Sequence, residues 1–296
     1  MAASRADRRK SKMKTLKAVG GALLAIVIMI ASNILASLIS SGIFLLNAPE
    51  WLAIAVMGIL YIIITLVAVK LIYGKGFKYK FAELGMPKPA IKILSVILAV
   101  LLPAAVSGVF LLLVKGSFAA TALDSNTRAS VLAEGIVYSS IGAAVVEEVL
   151  FRGVMMNLLK KRWNTAVGVI VPSVIFAAMH IMEMEEFKPL DVVQLLVAGT
   201  LVGIMFSLIA IRTGSVWNSA IVHAVWNLVM VGGILNIGGT ASEYALMNYV
   251  LDSKSFMLTG GAFGIESSVI AIAAYAVVIG VLLFAGRKKI TDPANR

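Results

Sequence analysis

Eight long apolar runs divide this 296-residue chain, near residues 18–46, 51–73, 93–114, 135–159, 166–182, 190–211, 215–238 and 263–285. A helix needs roughly 20 apolar residues to cross the ~30 Å hydrocarbon core of a bilayer, so each run is a candidate span. Only 14% of the residues are charged, 60% are hydrophobic and the mean hydropathy is +0.98. A soluble domain carries about 25% charged residues, and one core of this length could not hide so much apolar surface. Hydrocarbon offers no hydrogen bonds to the backbone, so a spanning segment is either a helix or part of a closed barrel, and no alternating barrel pattern occurs. The expected fold is all-α, one membrane-embedded domain over 1–296 with about eight transmembrane helices, and every element is expected to be helix.

The net charge of +11 does not point to nucleic acid, because Lys and Arg lie between apolar runs instead of forming a groove-lining or aromatic-interleaved pattern. A basic arm over 1–17 leads into the first run, which is too long for the roughly 7–15-residue apolar core of a signal peptide and is read as a retained span. With that arm in the cytoplasm, connections 74–92, 160–165 and 212–214 and the C-terminal tail share its side. Twenty Lys and Arg then lie inside and four outside, which sets both termini as cytoplasmic. The segment Lys75-Gly-Phe-Lys-Tyr-Lys80 reads as a basic interfacial loop that meets membrane lipid. The outer loop 239–262 reads as a connection.

Of fifteen acidic residues, only Glu147 and Glu148 fall deep inside an apolar segment. One charged side chain at a helix centre costs roughly 2.5–3.5 kcal/mol to insert, so such residues usually face a polar interior and serve function. Adjacent helical positions differ by about 100°, so the two carboxylates cannot share a face, whereas Glu148 and Arg152 at i and i+4 can pair. Both histidines of the chain, His180 and His223, also lie in apolar runs, and Asn227 sits one turn beyond His223 on the same face.

Hydrolysis needs a base for water, a group to orient it, and donors where negative charge develops on the carbonyl oxygen. Glu147, His180, His223 and Asn227 can fill those roles. The chain has no cysteine, which removes thiol nucleophiles and thiolate metal sites, and neither G-x-S-x-G nor H-E-x-x-H occurs. Glu147, His180 and His223 could still hold Zn²⁺ with an open water position. The cofactor question stays open between zinc and a metal-free glutamate mechanism, with the latter preferred.

The ordered motifs E-E-x-x-x-R (Glu147, Glu148, Arg152), F-x-x-x-H (Phe176, His180) and H-x-x-x-N (His223, Asn227) resemble the CPBP family of intramembrane proteases. That family includes type II CAAX prenyl endopeptidases and bacterial, Abi-like proteins linked to bacteriocin processing or immunity. The likeness covers roughly residues 135–230. It implies an intramembrane endopeptidase in which Glu147 activates water, His180 helps hold it, His223 and Asn227 form the oxyanion site, and Glu148 and Arg152 support them. It also implies a membrane-associated peptide or protein substrate and a bacterial plasma-membrane location.

Two other readings compete. A silent scaffold of the same fold would keep the motifs without the chemistry. A proton-coupled transporter would use Glu and His as a relay, but the inverted repeats and paired broken helices of such carriers are not visible. The endopeptidase reading also meets a geometric difficulty: at 1.5 Å per residue, His180, Glu147 and His223 lie about 25, 20 and 12 Å from the inner ends of their spans. Tilt, a bend at Pro172 or different span ends must bring them level.

Overall fold

The computed structural model of the chain describes residues 5–184 and 186–290. Eight helical segments order the described chain: α1 (Arg5–Phe44), α2 (Glu50–Gly76), α3 (Ile93–Leu113), α4 (Ser125–Arg162), α5 (Thr165–Glu183), α6 (Pro189–Thr213), α7 (Val216–Met230) and α8 (Val269–Ile290). Helices α1 to α6 are long and apolar enough to cross a membrane, and α8 carries a shorter apolar stretch, Val269–Phe284. The protein is an all-α polytopic membrane protein. From Arg5 onward the basic arm is the start of α1 and not a separate segment. Residues 1–4 of that arm and 291–296 of the tail, both expected in the cytoplasm, lie outside the described residues.

Two apolar runs end differently from the expectation. Helix α7 stops at Met230 because the N–H groups of Val231 and Gly232 both turn back to the Asn227 carbonyl at 2.8 Å. Residues 235–238, expected inside a span, instead form a strand. Helix α8 starts at Val269 rather than near 263, with the Ser268 hydroxyl accepting from the Ala271 N–H at 3.2 Å. A side-chain oxygen at that position satisfies a donor that the first helical turn cannot.

The outer connections build a small sheet that an all-helix reading did not include. Strands β1 (Gly116–Ala120), β2 (Leu235–Gly238) and β3 (Met247–Leu251) lie in the order β1-β3-β2. β1 pairs with β3 antiparallel, Phe118 opposite Tyr249, and β2 pairs with β3 parallel, Ile237 opposite Tyr249. Ile237, Tyr249 and Leu251 bury against Phe110 of α3 and Trp226 of α7. Asn248 joins the pieces, accepting from Asn236 and the Ser242 N–H and donating to Thr121.

At the opposite end, loop 77–92 tucks under the bundle. Leu84 and Met86 are buried, the Val216 N–H bonds to the Gly85 carbonyl at 2.9 Å, and the Trp217 indole donates to the Pro87 carbonyl at 2.7 Å. Asn218 bonds both Lys92 and Ala90. Lys161, near the end of α4, lies 2.7 Å from Glu83 and 5.1 Å from the Tyr79 ring. That ammonium holds the exposed Glu83 carboxyl below the usual carboxylate range.

Two apolar cores carry the bundle. One gathers α1, α2 and α4, and the other α3, α6, α7 and α8. Helices α5 and α6 approach where α6 has no side chains. A Cβ on Gly199 would stand 2.8 Å from the Ala177 Cβ, and one on Gly203 would stand 2.8 Å from the Ser173 Cβ. In lipid, such small-residue contacts replace the hydrophobic drive that water would supply. Gly199→Ala should therefore force the helices apart and lower stability by about 1–3 kcal/mol, the usual cost of overpacking. Detergent melting of the purified variant checks this.

Candidate active site

Helix α4 positions the paired carboxylates. It is not a uniform α-helix: wide π-helical stretches, Ala133–Gly142 and Glu148–Met155, flank a five-residue α segment, Ala143–Glu147. Such π-helical turns are uncommon and cluster at functional sites. Glu147 closes the α segment and Glu148 opens the second π stretch. Their side chains diverge as successive helical positions must. Glu147 keeps 16% exposure while Glu148 keeps none.

All eight residues from Glu148 to Met155 are buried. Among them, Glu148 Oε1 lies 2.9 Å from Arg152 Nη1 and 3.1 Å from His223 Nδ1. The guanidinium is held between rings, 4.5 Å from the Phe176 centroid and 5.3 Å from that of Phe206. The His223 ring stacks on Phe206 at 4.6 Å and 18°. A carboxylate already paired with Arg152 accepts from Nδ1, so this contact fixes which edge of the imidazole faces inward. The opposite edge, Nε2, then points to Glu147 Oε2 at 3.7 Å. Both carboxylates thus reach His223, from opposite sides of one ring.

The height difficulty is resolved by where α7 begins. A Cβ on Gly85 would meet Asn157 at 3.0 Å, Val216 at 3.6 Å and the Arg152 carbonyl at 3.9 Å. The first residue of α7 is therefore level with residues 152–157 of α4, and not with its end at Arg162. His223 rises from that raised start to meet Glu147 and Glu148. His180 closes the last α-helical turn of α5, where a short 3-10 turn, His180–Glu183, follows. Its Nδ1 lies 2.8 Å from the Phe176 carbonyl. A carbonyl only accepts, so Nδ1 carries a proton. Phe176 lies between the two histidines, with ring centroids 4.4 Å from His180 and 6.1 Å from His223.

Glu147, His180, His223 and Asn227 all line one cavity of about 580 Å³, whereas Glu148 and Arg152 lie outside its lining. Asn227 donates one amide N–H to the Ser139 carbonyl at 2.9 Å, which ties α7 to α4. Glu147 Oε2 is buried and has no hydrogen-bond partner among the described residues.

Sequence reasoning missed two acids. Glu183 and Glu266 line the same cavity, although only Glu147 and Glu148 were expected deep in the protein. Glu266 precedes α8 and is carried inward by a folded connection. Gln194 of α6 donates to the Ser267 carbonyl at 2.8 Å, Asp191 accepts from the Ala262 N–H at 3.0 Å, and the Tyr275 hydroxyl donates to the Glu266 carbonyl at 3.0 Å. The signal in the sequence is an acid near the start of the apolar run 263–285. Tyr61, Tyr138 and Asn33 add polar groups from outside the recognised motifs, and Asn33 donates to Tyr138 at 2.7 Å.

Among the described residues, no three His, Asp or Glu side chains gather closely enough to ligate a metal ion.

Residues 129–229 match the model of a family described as type II CAAX prenyl endopeptidase, Rce1-like. No curated protein and no solved structure matches the chain. The matched segment runs from α4 to near the end of α7 and holds all seven motif residues. Over this stretch, about a third of the chain, the protein is similar to the Rce1-like type II CAAX prenyl endopeptidases.

Proposed function

We propose that the chain hydrolyses a peptide bond of a membrane-associated substrate, with Glu147 as the base that activates water. The observation that carries this reading is the buried, unpartnered Glu147 Oε2 facing the cavity 3.7 Å from His223 Nε2. A desolvated oxygen without a donor is costly, and a water molecule is the natural donor for it. In its neutral form, with the proton at Nδ1, His180 would accept from the same water at Nε2. Glu147 takes the water proton as the oxygen attacks the carbonyl carbon. It then returns that proton to the amide nitrogen as the C–N bond breaks.

The oxyanion would be met by His223 Nε2–H and the second N–H of Asn227. Donation from Nε2 requires an imidazolium, because Nδ1 is already bonded to Glu148. Glu148 and Arg152 act by holding the ring. A metal-free mechanism is the reading adopted. The substrate would be a CAAX-type prenylated protein or a bacteriocin-like peptide, and the enzyme would reside with its lipids in a bacterial plasma membrane.

Glu147→Gln keeps size and polarity while removing the base. Peptide cleavage should fall by about 10² to 10⁴ with melting unchanged. A folded, fully active variant would sink the mechanism. Glu148→Gln leaves Arg152 and His223 without their shared carboxylate, so it should lose about 3–5 kcal/mol of stability together with activity, read by detergent melting. After chelation, elemental analysis should find full activity with substoichiometric zinc, and strict loss with Zn²⁺ rescue would remove the metal-free mechanism.

A further inference from the structure

Residues 74–92 carry five lysines, Lys75, Lys78, Lys80, Lys88 and Lys92, against a single acid, Glu83. All five are exposed, and Glu83 is taken by Lys161 of α4 at 2.7 Å. Among the described residues none of the five forms an ion pair. Phe77, Phe81 and Ile91 are exposed between them. The segment joins two spans, and the residues that open α3, Ile93 and Leu94, are exposed apolar side chains. That places the lysines at headgroup level, where apolar side chains enter the membrane and ammonium groups meet phosphate. Uncompensated positive charge interleaved with apolar side chains complements an anionic phospholipid surface, whereas a zwitterionic headgroup brings no net charge to it.

The same segment fixes the start of α7. The Val216 N–H bonds the Gly85 carbonyl and the Trp217 indole N–H bonds the Pro87 carbonyl. Asn218 accepts from the Lys92 N–H at 2.8 Å and donates to the Ala90 carbonyl at 3.0 Å. Lys88 and Lys92 thus stand among the residues that grip the first three positions of α7. The segment is also stiff, because Tyr73, Phe77 and Tyr79 stack in series with ring centroids 5.6 and 6.5 Å apart. His223 follows Val216 by about two turns of continuous helix, or about 10 Å, so a shift of the loop is carried to its ring. The contacts at stake there are 3.1 Å to Glu148 and 3.7 Å to Glu147.

We infer that segment 74–92 is a docking surface for anionic phospholipid headgroups, and that their binding holds α7 at the height where His223 meets Glu147 and Glu148. A ligand that binds only the seated loop stabilises it over any loosened arrangement. The docking stands apart from the peptidase reading, and its effect on turnover rests on that reading.

The test places the full-length protein in nanodiscs of phosphatidylcholine, with and without phosphatidylglycerol. Amide hydrogen exchange at Val216 reports the bond to Gly85 and should slow by about tenfold when phosphatidylglycerol is present. Cleavage of an uncharged quenched-fluorescent peptide at saturation should rise several-fold in the same discs. Lys75→Gln, Lys78→Gln and Lys88→Gln combined should keep the phosphatidylcholine values of both signals and lose the response. Lys14→Gln with Lys17→Gln, which removes charge from α1 instead, should keep it. High salt should abolish the response of the unsubstituted protein, because exposed charges are screened. Exchange indifferent to phosphatidylglycerol, a response that survives the triple variant or high salt, or one lost equally in the α1 variant would each overturn the docking. Exchange that slows while cleavage is equal in both discs overturns the link to His223. Exchange that slows with no cleavage in any disc leaves the docking standing and overturns the peptidase reading.

Discussion

The structure depends on how it keeps ions inside a medium that rejects them. Glu148 and Arg152 are fully buried on α4, and neither would be tolerable alone. Each offsets the other's charge, with His223 Nδ1 on one side and the faces of Phe176 and Phe206 on the other, although Glu148 Oε2 and the three guanidinium nitrogens have no hydrogen-bond partner among the described residues. Four helices meet in this cluster: α4 brings the charges, α5 and α6 the rings, and α7 the imidazole. The desolvation that makes the pair expensive is what forces these helices into one arrangement, and the orientation of His223 follows from it.

Glu147 inherits its character from that arrangement. Its neighbour takes the guanidinium, so its own carboxylate turns toward the cavity with one oxygen unpartnered. The junction between an α segment and a π-helical stretch falls between the two acids. A one-residue step there separates a group locked into the core from one left available. Neither the pairing nor the exposure of a carboxylate could be read from composition, but the i, i+4 spacing of Glu148 and Arg152 was enough to assign the ion pair to the right acid.

Legibility varied with the range of the forces involved. The helices of the bundle were visible as apolar runs because the bilayer sets the length and polarity of each span independently. The six motif residues stood out because polar groups are rare in such runs. The sheet was not visible: Gly116–Ala120, Leu235–Gly238 and Met247–Leu251 are short, and the first pairs with the last across more than a hundred residues of chain. Strand formation of that kind is decided by context and not by local preference. The position of Glu266 depended on the same cap, through Gln194 and Asp191 of α6. The level of His223 was hidden for a related reason. It depends on loop 77–92 rising inside the bundle until Gly85 receives the first N–H of α7, whereas counting residues assumed that all spans begin in one plane.

That tucked loop has a bearing on the membrane itself. A water-holding chamber inside a bilayer threatens to conduct protons and ions down the electrical gradient. Here Leu84 and Met86 of the loop and the buried run Glu148–Met155 fill the bundle on the basic side. Beyond Glu147 toward that loop, α4 therefore presents only buried groups, the Glu148–Arg152 pair among them, as far as Met155. Packing of that thickness beneath a hydrated cavity would limit the leak of ions across a polarised membrane.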